Sequence, residues 1–563
     1  MRTPHPEDGS DLWASAPSSP VFKTAADARF NLPDEVPGTV FLISSAGTVL
    51  KLPIPSKSPR DPLNWPWRKR FAALVALVLA TSVNFFEVKL STIMAISYQL
   101  DFANQKVTTS LTEYVNTFAF VMTAVGFPFG VALSTAVGRR PVLLASAFIN
   151  TFATLVVGFL PGFGIFFIGI GGQGLTAGMV LSMGLLVIVD ATFVYERPWA
   201  AATLWCAVSI LMHLLYLPIS FLTGGGVNWR PVYQWYVVPC FISFLLILTA
   251  IPETFFVRPS IAFDGRLLVQ SGSEHTHIYE TTDDISPSDE TEGASFEYPG
   301  LLRRFFGVLI VERAPGTSWR ASGSICVQMV LCMCNPLVIW SALLGAAVLS
   351  VAIFQNETQF KYIIFNLITT EPLRTQLRRA DVSFAVSGIV SALLSIPISA
   401  PLVTWFVRYR ARKSGGIRHA EVYLIGYAIP IIFSILSITL FAASVTYRWP
   451  TIIQYLIYGI TNISYVLVIS AGIVWLIEAF PLWAAAAVAI ELFFVILLGS
   501  LLGAKMGSWA LTSQNYIGPS IVQGILVLVL GAVIVPVAFW GKNVRQFIHG
   551  RWSLSQKGAL RPQ

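Results

Sequence analysis

Glu491 stands in the stretch AVAIELFFVILL, with apolar residues on both sides. At 1.5 Å per residue it lies about eight residues, or roughly 12 Å, inside its apolar segment. An ionisable side chain buried that far in a membrane-spanning helix is costly, which makes it a functional candidate by default. Two chemistries suit it. It is either a carboxyl hydrogen-bonded to a neighbouring helix, or a group that exchanges a proton or meets a cationic ligand. Glu87 and Lys89, in NFFEVKL, come next. Their spacing of two puts them on different helix faces, so they are not a preset pair. Glu87 belongs either to a cavity wall or to an outer rim, and Lys89 reads as a snorkelling anchor. His213, about two-thirds of the way along its apolar segment, is either a packed, hydrogen-bonded residue or a proton relay.

A second group is polar and aromatic: Asn84, Asn116, Gln173, Asn335 (followed by Pro336) and Trp340. Tyr455, Tyr458, Asn462 and Tyr465 follow at spacings of three, four and three, which is one helical face. An aromatic wall with a few polar groups suits an amphipathic organic ligand, and a wet helix seam carries the same pattern. Asp190 and Glu478 fall at span ends, as interface or gate residues. Gly174 and Gly178 have the small-xxx-small spacing of closely packed helices. No strand or βαβ unit surrounds them, so a dinucleotide site is excluded. The six His residues form no cluster with carboxylates at metal-ligand spacing, and Cys332-x-Cys334 lacks further zinc ligands. The five Cys, scattered through apolar stretches, are no disulfide framework. With no phosphate-binding Gly-rich loop of the Lys-Ser/Thr type either, no cofactor, metal or enzyme activity is expected.

The elements that must position these groups are read from hydropathy. The chain is 55% hydrophobic and 12% charged, about half the charge of an ordinary soluble domain. From Ser110 to Ile149 two long apolar stretches flank only VGRRP, and similar stretches recur nearly to the C-terminus. This is an all-α polytopic membrane protein. Spans are expected near residues 71–92, 111–136, 141–161, 164–189, 199–223 and 233–255, then 326–354, 382–407, 420–445, 450–478, 483–508 and 517–541. The expected organisation is a disordered cytoplasmic tail (1–66), a six-helix bundle (67–256), a central loop (257–322), a second six-helix bundle (323–541) and a cytoplasmic tail (542–563). Within the tail, Val40–Leu52 reads as a short ordered segment. In the central loop the run TTDDISPSDETE reads as disordered and Leu301–Arg313 as an amphipathic surface helix. The net charge of +8 sits mostly in tails and short turns on one side of the spans. The positive-inside bias explains that placement without a nucleic-acid partner and puts both termini in the cytoplasm. Arg374, Arg378 and Arg379 on the other side run against the rule, offset by Glu371 and Asp381. Asn356-Glu357-Thr358 is a glycosylation sequon too close to the membrane to favour its use.

Several strings, in order, resemble a fungal branch of the major facilitator superfamily, the twelve-span drug:proton-antiporter-like transporters. They are DPLNWPWRKR before span 1, GRRP after span 2, NWR and PETFFVRP around span 6, SGGIRHAE at span 9 and WLIEAFP ending span 10. The resemblance implies a major facilitator fold, with two pseudo-symmetric six-helix bundles around a central cavity and a substrate site near the midplane. It implies a gating loop at Gly138, Arg139 and Arg140. It departs from the family pattern at three places. Thr135 and Ala136 replace the loop's Asp and first Arg, Ile170 replaces a span-4 Arg, and His213-x-x-x-Leu217-Pro218 replaces Gly-x-x-x-Gly-Pro. The implied function is proton-coupled efflux of a small organic molecule by a monomer, in the plasma membrane ahead of the vacuolar one. Two carboxylates facing the cavity would favour cations. An uncoupled facilitator and a transport-inactive sensor remain alternatives.

Overall fold

A helix needs about 20 apolar residues to cross a hydrocarbon core, and twelve helices meet that measure among the described residues of the computed structural model. The described residues are 40–41, 53, 55, 61–103, 109–222, 229–256, 267–270, 276–279, 316–367, 373–413 and 417–552. The spans are α1 (Trp67–Ile93), α2 (Tyr114–Val137), α3 (Arg139–Phe159), α4 (Phe163–Ala191), α5 (Arg197–Tyr216) and α6 (Arg230–Ala250). After the central connection come α7 (Pro336–Gln359), α8 (Arg379–Lys413), α9 (Ala420–Thr446), α10 (Thr451–Ala479), α11 (Ala484–Ser513) and α12 (Ile517–Ile548). The chain is an all-helical polytopic membrane protein of twelve spans. Among the described residues strand pairing lies outside the spans: Val40–Phe41 pairs with Ile417–Arg418, and Leu267–Gln270 with Thr276–Tyr279. The acidic run and the basic Leu301–Arg313 segment lie outside the described residues.

Several boundaries differ from the hydropathy reading: the fifth span ends at Tyr216 rather than at 223, and the eighth runs to Lys413 rather than 407. The seventh span begins at Pro336 rather than at 326, because the chain breaks at Cys334–Asn335 after a separate helix, Trp319–Met333. Proline suits the first turn of a helix, where its missing N–H is not needed. Asn335 Oδ1 accepts the Leu337 N–H at 3.0 Å and caps the new start. The last span continues to Ile548, so residues 542–548 are helical.

Packing sorts the spans into two halves. In the first, α4 lies against α1, α2 and α3, and α6 against α1 and α3. In the second, α7 lies against α10 and α11, and α9 against α10 and α12. The halves meet along two seams, α5 against α8 and α10, and α2 against α11.

Within the first half, α2 and α4 approach at glycines. A Cβ on Gly178 would overlap the Thr123 carbonyl oxygen, and one on Gly174 the Ala119 carbonyl oxygen. With backbone in the way, neither neighbour can yield by rotating a side chain. Gly178→Val is expected to cost about 3 kcal/mol, the upper end of overpacking penalties, read as a lower melting temperature in detergent. Gly172→Ala is the control, since its Cβ would meet nothing closer than Ala153 Cβ at 3.6 Å.

Candidate functional site

A cavity of about 1430 Å³ lies between the two halves. It exceeds the roughly 300–1,000 Å³ of an ordinary small-molecule pocket. Its wall takes Phe85, Phe86 and Lys89 from α1, Asn116 and Phe120 from α2, and His213 and Tyr216 from α5. The second half supplies Phe384 from α8, and Tyr458, Asn462 and Tyr465 from α10. The lining reaches Tyr114 at the start of α2, Arg448 in the α9–α10 turn and Gln514–Tyr516 in the α11–α12 turn. All of these lie at one end of the bundle, opposite the Arg-rich turns. The cavity therefore opens at the end away from the basic residues.

The α5–α8–α10 seam carries a polar knot on the cavity wall. His213 Nδ1 lies 2.6 Å from the Ser209 carbonyl oxygen, which can only accept, so Nδ1 carries the proton. In the neutral ring Nε2 is then the acceptor, and the Tyr458 hydroxyl donates to it at 2.9 Å. Asn462 Nδ2 donates to Ser391 Oγ at 2.8 Å and to Ser209 Oγ at 3.2 Å. The imidazole lies against Gly388 of α8, where a Cβ would overlap the ring. Nearer the mouth, Tyr216 donates to Asp381 Oδ1 at 2.7 Å, also joining the halves.

The two membrane carboxylates lie elsewhere. Glu87 is fully buried inside the first half, turned away from the cavity. Asn150 Nδ2 and Gln173 Nε2 each donate to it at 2.7 Å, and Thr154 Oγ1 also donates. It is thus neither cavity wall nor rim, and Gln173 is its hydrogen-bond donor rather than a lining residue. Glu491 is buried inside the second half, where Ser341 Oγ of α7 donates to Oε1 at 2.6 Å. Tyr427 lies 2.6 Å from the same serine, and Gly472 of α10 leaves the space the carboxyl occupies. Glu491 Oε2 has no hydrogen-bond partner.

The basic end is closed. Arg197 of α5 pairs with Glu478 of α10 across the seam, both side chains being 2–3% exposed. The Ser318 N–H donates to the Thr135 carbonyl at 3.1 Å, and Ser322 Oγ to the Ala132 carbonyl at 2.8 Å. These contacts dock the helix Trp319–Met333 on the end of α2. Within the first half, Gly138 turns at φ 108° and presents the N–H groups of Arg139 and Arg140 to Glu253, at 3.1 and 3.2 Å. The Arg139 guanidinium pairs with Asp190 and donates to the Leu186 carbonyl at 2.7 Å. In the second half Arg545 Nη2 pairs with Glu421 at 2.6 Å and Nη1 reaches the Ala479 carbonyl at 3.4 Å. Beside them, outside the spans, burial holds His419 below the usual imidazole range while Glu421 pulls it upward.

Of the residues singled out by sequence, Asn116, His213, Tyr458, Asn462 and Tyr465 meet on the cavity wall. Asn116 Oδ1 accepts from Tyr98 at 2.6 Å. Asn84 instead donates to its own helix at the Ala80 carbonyl, 2.8 Å. Asn335 is a helix cap, and Trp340 Nε1 donates to the Leu530 carbonyl at 2.9 Å inside the second half. Tyr455 packs on Phe384. Lys89, read as an anchor, is on the cavity wall, and Arg197 was not singled out at all. Its only sequence signal was a lone Arg at a span start.

No protein-family model matches the chain, and no curated protein does. Among solved structures it is similar to a partially occluded inward-open conformation of the xylose transporter XylE from E. coli. The likeness has 14% sequence identity and a TM-score of 0.48, and it covers 83% of this chain and 97% of that one.

Proposed function

We propose that this chain is a secondary transporter of the major facilitator type, moving a small organic molecule by alternating access. The observation that carries the reading is the cavity between the halves, open at one end and closed at the other by Arg197–Glu478. A path through the bundle that is open at one end at a time is what exchange of a solute across a bilayer requires. Positive residues at the closed end make it the cytoplasmic one, so the cavity faces outward. Proton coupling and efflux are part of the proposal, with Glu491, one oxygen of which lacks a partner, as the proton carrier. The uncoupled alternative rests on one observation: Thr135 and Ala136 stand where the resemblance would put an Asp and an Arg.

Uptake and efflux of a mixed metabolite panel by vesicles containing the purified protein tests both readings. Accumulation driven by an imposed pH gradient is the expected result. Downhill movement that ignores pH would favour the facilitator, and no movement of any compound would count against transport.

A further inference from the structure

We infer that the cavity takes an organic anion with an aromatic body, whose carboxylate pairs with Lys89; this rests on the transporter reading. Lys89 lines the cavity from α1 and borders a small recess with His213, Asn462 and Tyr465. Among the described residues no carboxylate lies within ion-pair distance of its ammonium, and no hydrogen bond holds it. An ammonium drawn into an apolar wall without a partner is costly, and an anion entering the cavity would offset that cost.

The neighbouring groups point the same way. The free acceptor of His213 is occupied by the Tyr458 hydroxyl, which leaves nothing there for Lys89. The Tyr465 hydroxyl is buried and makes no hydrogen bond. The Lys89 ammonium and the Tyr465 hydroxyl are thus two donors with no recorded acceptor on this wall, and a carboxylate supplies one to both. The two carboxylates expected to make the cavity favour cations face other helices, Glu87 toward α3 and α4 and Glu491 toward α7. Among the described residues that line the cavity one is acidic, Glu357, and its carboxylate lies against Gly507 of α11. Phe85 and Phe86 flank Lys89 on α1 and supply the aromatic surface.

Three compounds of one shape separate charge from shape: phenylacetate, phenylacetamide and phenethylamine. Their binding is measured by calorimetry on the full-length protein in lipid nanodiscs, and their movement by counterflow in vesicles. The expected result is phenylacetate binding about tenfold or more tighter than either analogue. The same loss is expected in Lys89→Gln, with recovery in Lys89→Arg. Equal affinities, tighter binding of the amine, no binding of phenylacetate, or a Lys89→Gln variant that binds it as well each overturns the inference. The transporter reading fails separately, when phenylacetate binds through Lys89 and yet none of the three compounds moves. Movement of the amine or amide without the carboxylate keeps the transporter and overturns the anion.

Discussion

Arg197→Met is expected to open the basic end of the protein. The substitution takes the Arg197 guanidinium away from Glu478, which is 2% exposed. Breaking a buried pair by removing one partner costs about 3–5 kcal/mol. Because this pair joins α5 to α10, the cost falls on the conformation in which the two halves close there. A conformation with that end open hydrates Glu478 and escapes it. The equilibrium between the two should move by roughly 100-fold or more. Hydrogen exchange reads the shift directly. Backbone amides of residues 190–197 and 476–483 should exchange faster, and those of the α11–α12 turn at the cavity mouth slower. The double reversal Arg197→Glu with Glu478→Arg should restore the original pattern. Arg139→Met is the informative control, since Arg139 and Asp190 both belong to the first half. It should lower stability without moving exchange from one end to the other. If Arg197→Met leaves exchange at both ends unchanged, the pair is not the seal.

The twelve spans were legible because length and hydropathy suffice to specify a crossing helix. The error at the seventh span came from one Asn-Pro step inside a continuous apolar run, which hydropathy does not register. Helix rotation was harder. The spacing of Glu87 and Lys89 puts them on different faces, yet spacing does not say which face meets a neighbour. That depends on Asn150 and Gln173, 63 and 86 residues away in the chain. The α10 stripe was legible as a face, and three of its four residues line the cavity. Pairing across halves left the least trace, since Arg197 and Glu478 are separated by 281 residues. Glu478 was recognisable as a gate candidate from its position, but its partner was not.

Glu491→Gln is expected to abolish movement driven by a pH gradient while leaving the protein folded, and Glu87→Gln to lower stability while leaving that movement intact. The difference lies in what surrounds each carboxyl. Glu491 accepts one hydrogen bond, from Ser341, and a glutamine carbonyl oxygen can accept the same bond. Its other oxygen has no partner to lose. The change removes the exchangeable proton and leaves the serine bond in place, at a cost of about 1–3 kcal/mol for the amide N–H2 that meets no acceptor where Oε2 stood. Glu87 accepts from three side chains on α3 and α4. A glutamine amide turns a donor toward at least one of those donors, and a buried donor left unmet costs about 1–3 kcal/mol. Glu87→Ala takes the carboxylate acceptor from all three and should yield little folded protein. A carboxyl clamped by three donors is a structural tie between α1, α3 and α4, whereas one held by a single serine can gain or lose a proton without unmaking its surroundings. Melting temperature and gradient-driven flux, measured on both glutamine variants in the same vesicles, separate the two roles. Loss of coupling in Glu87→Gln with coupling intact in Glu491→Gln would move the proton path from the second half of the molecule to the first.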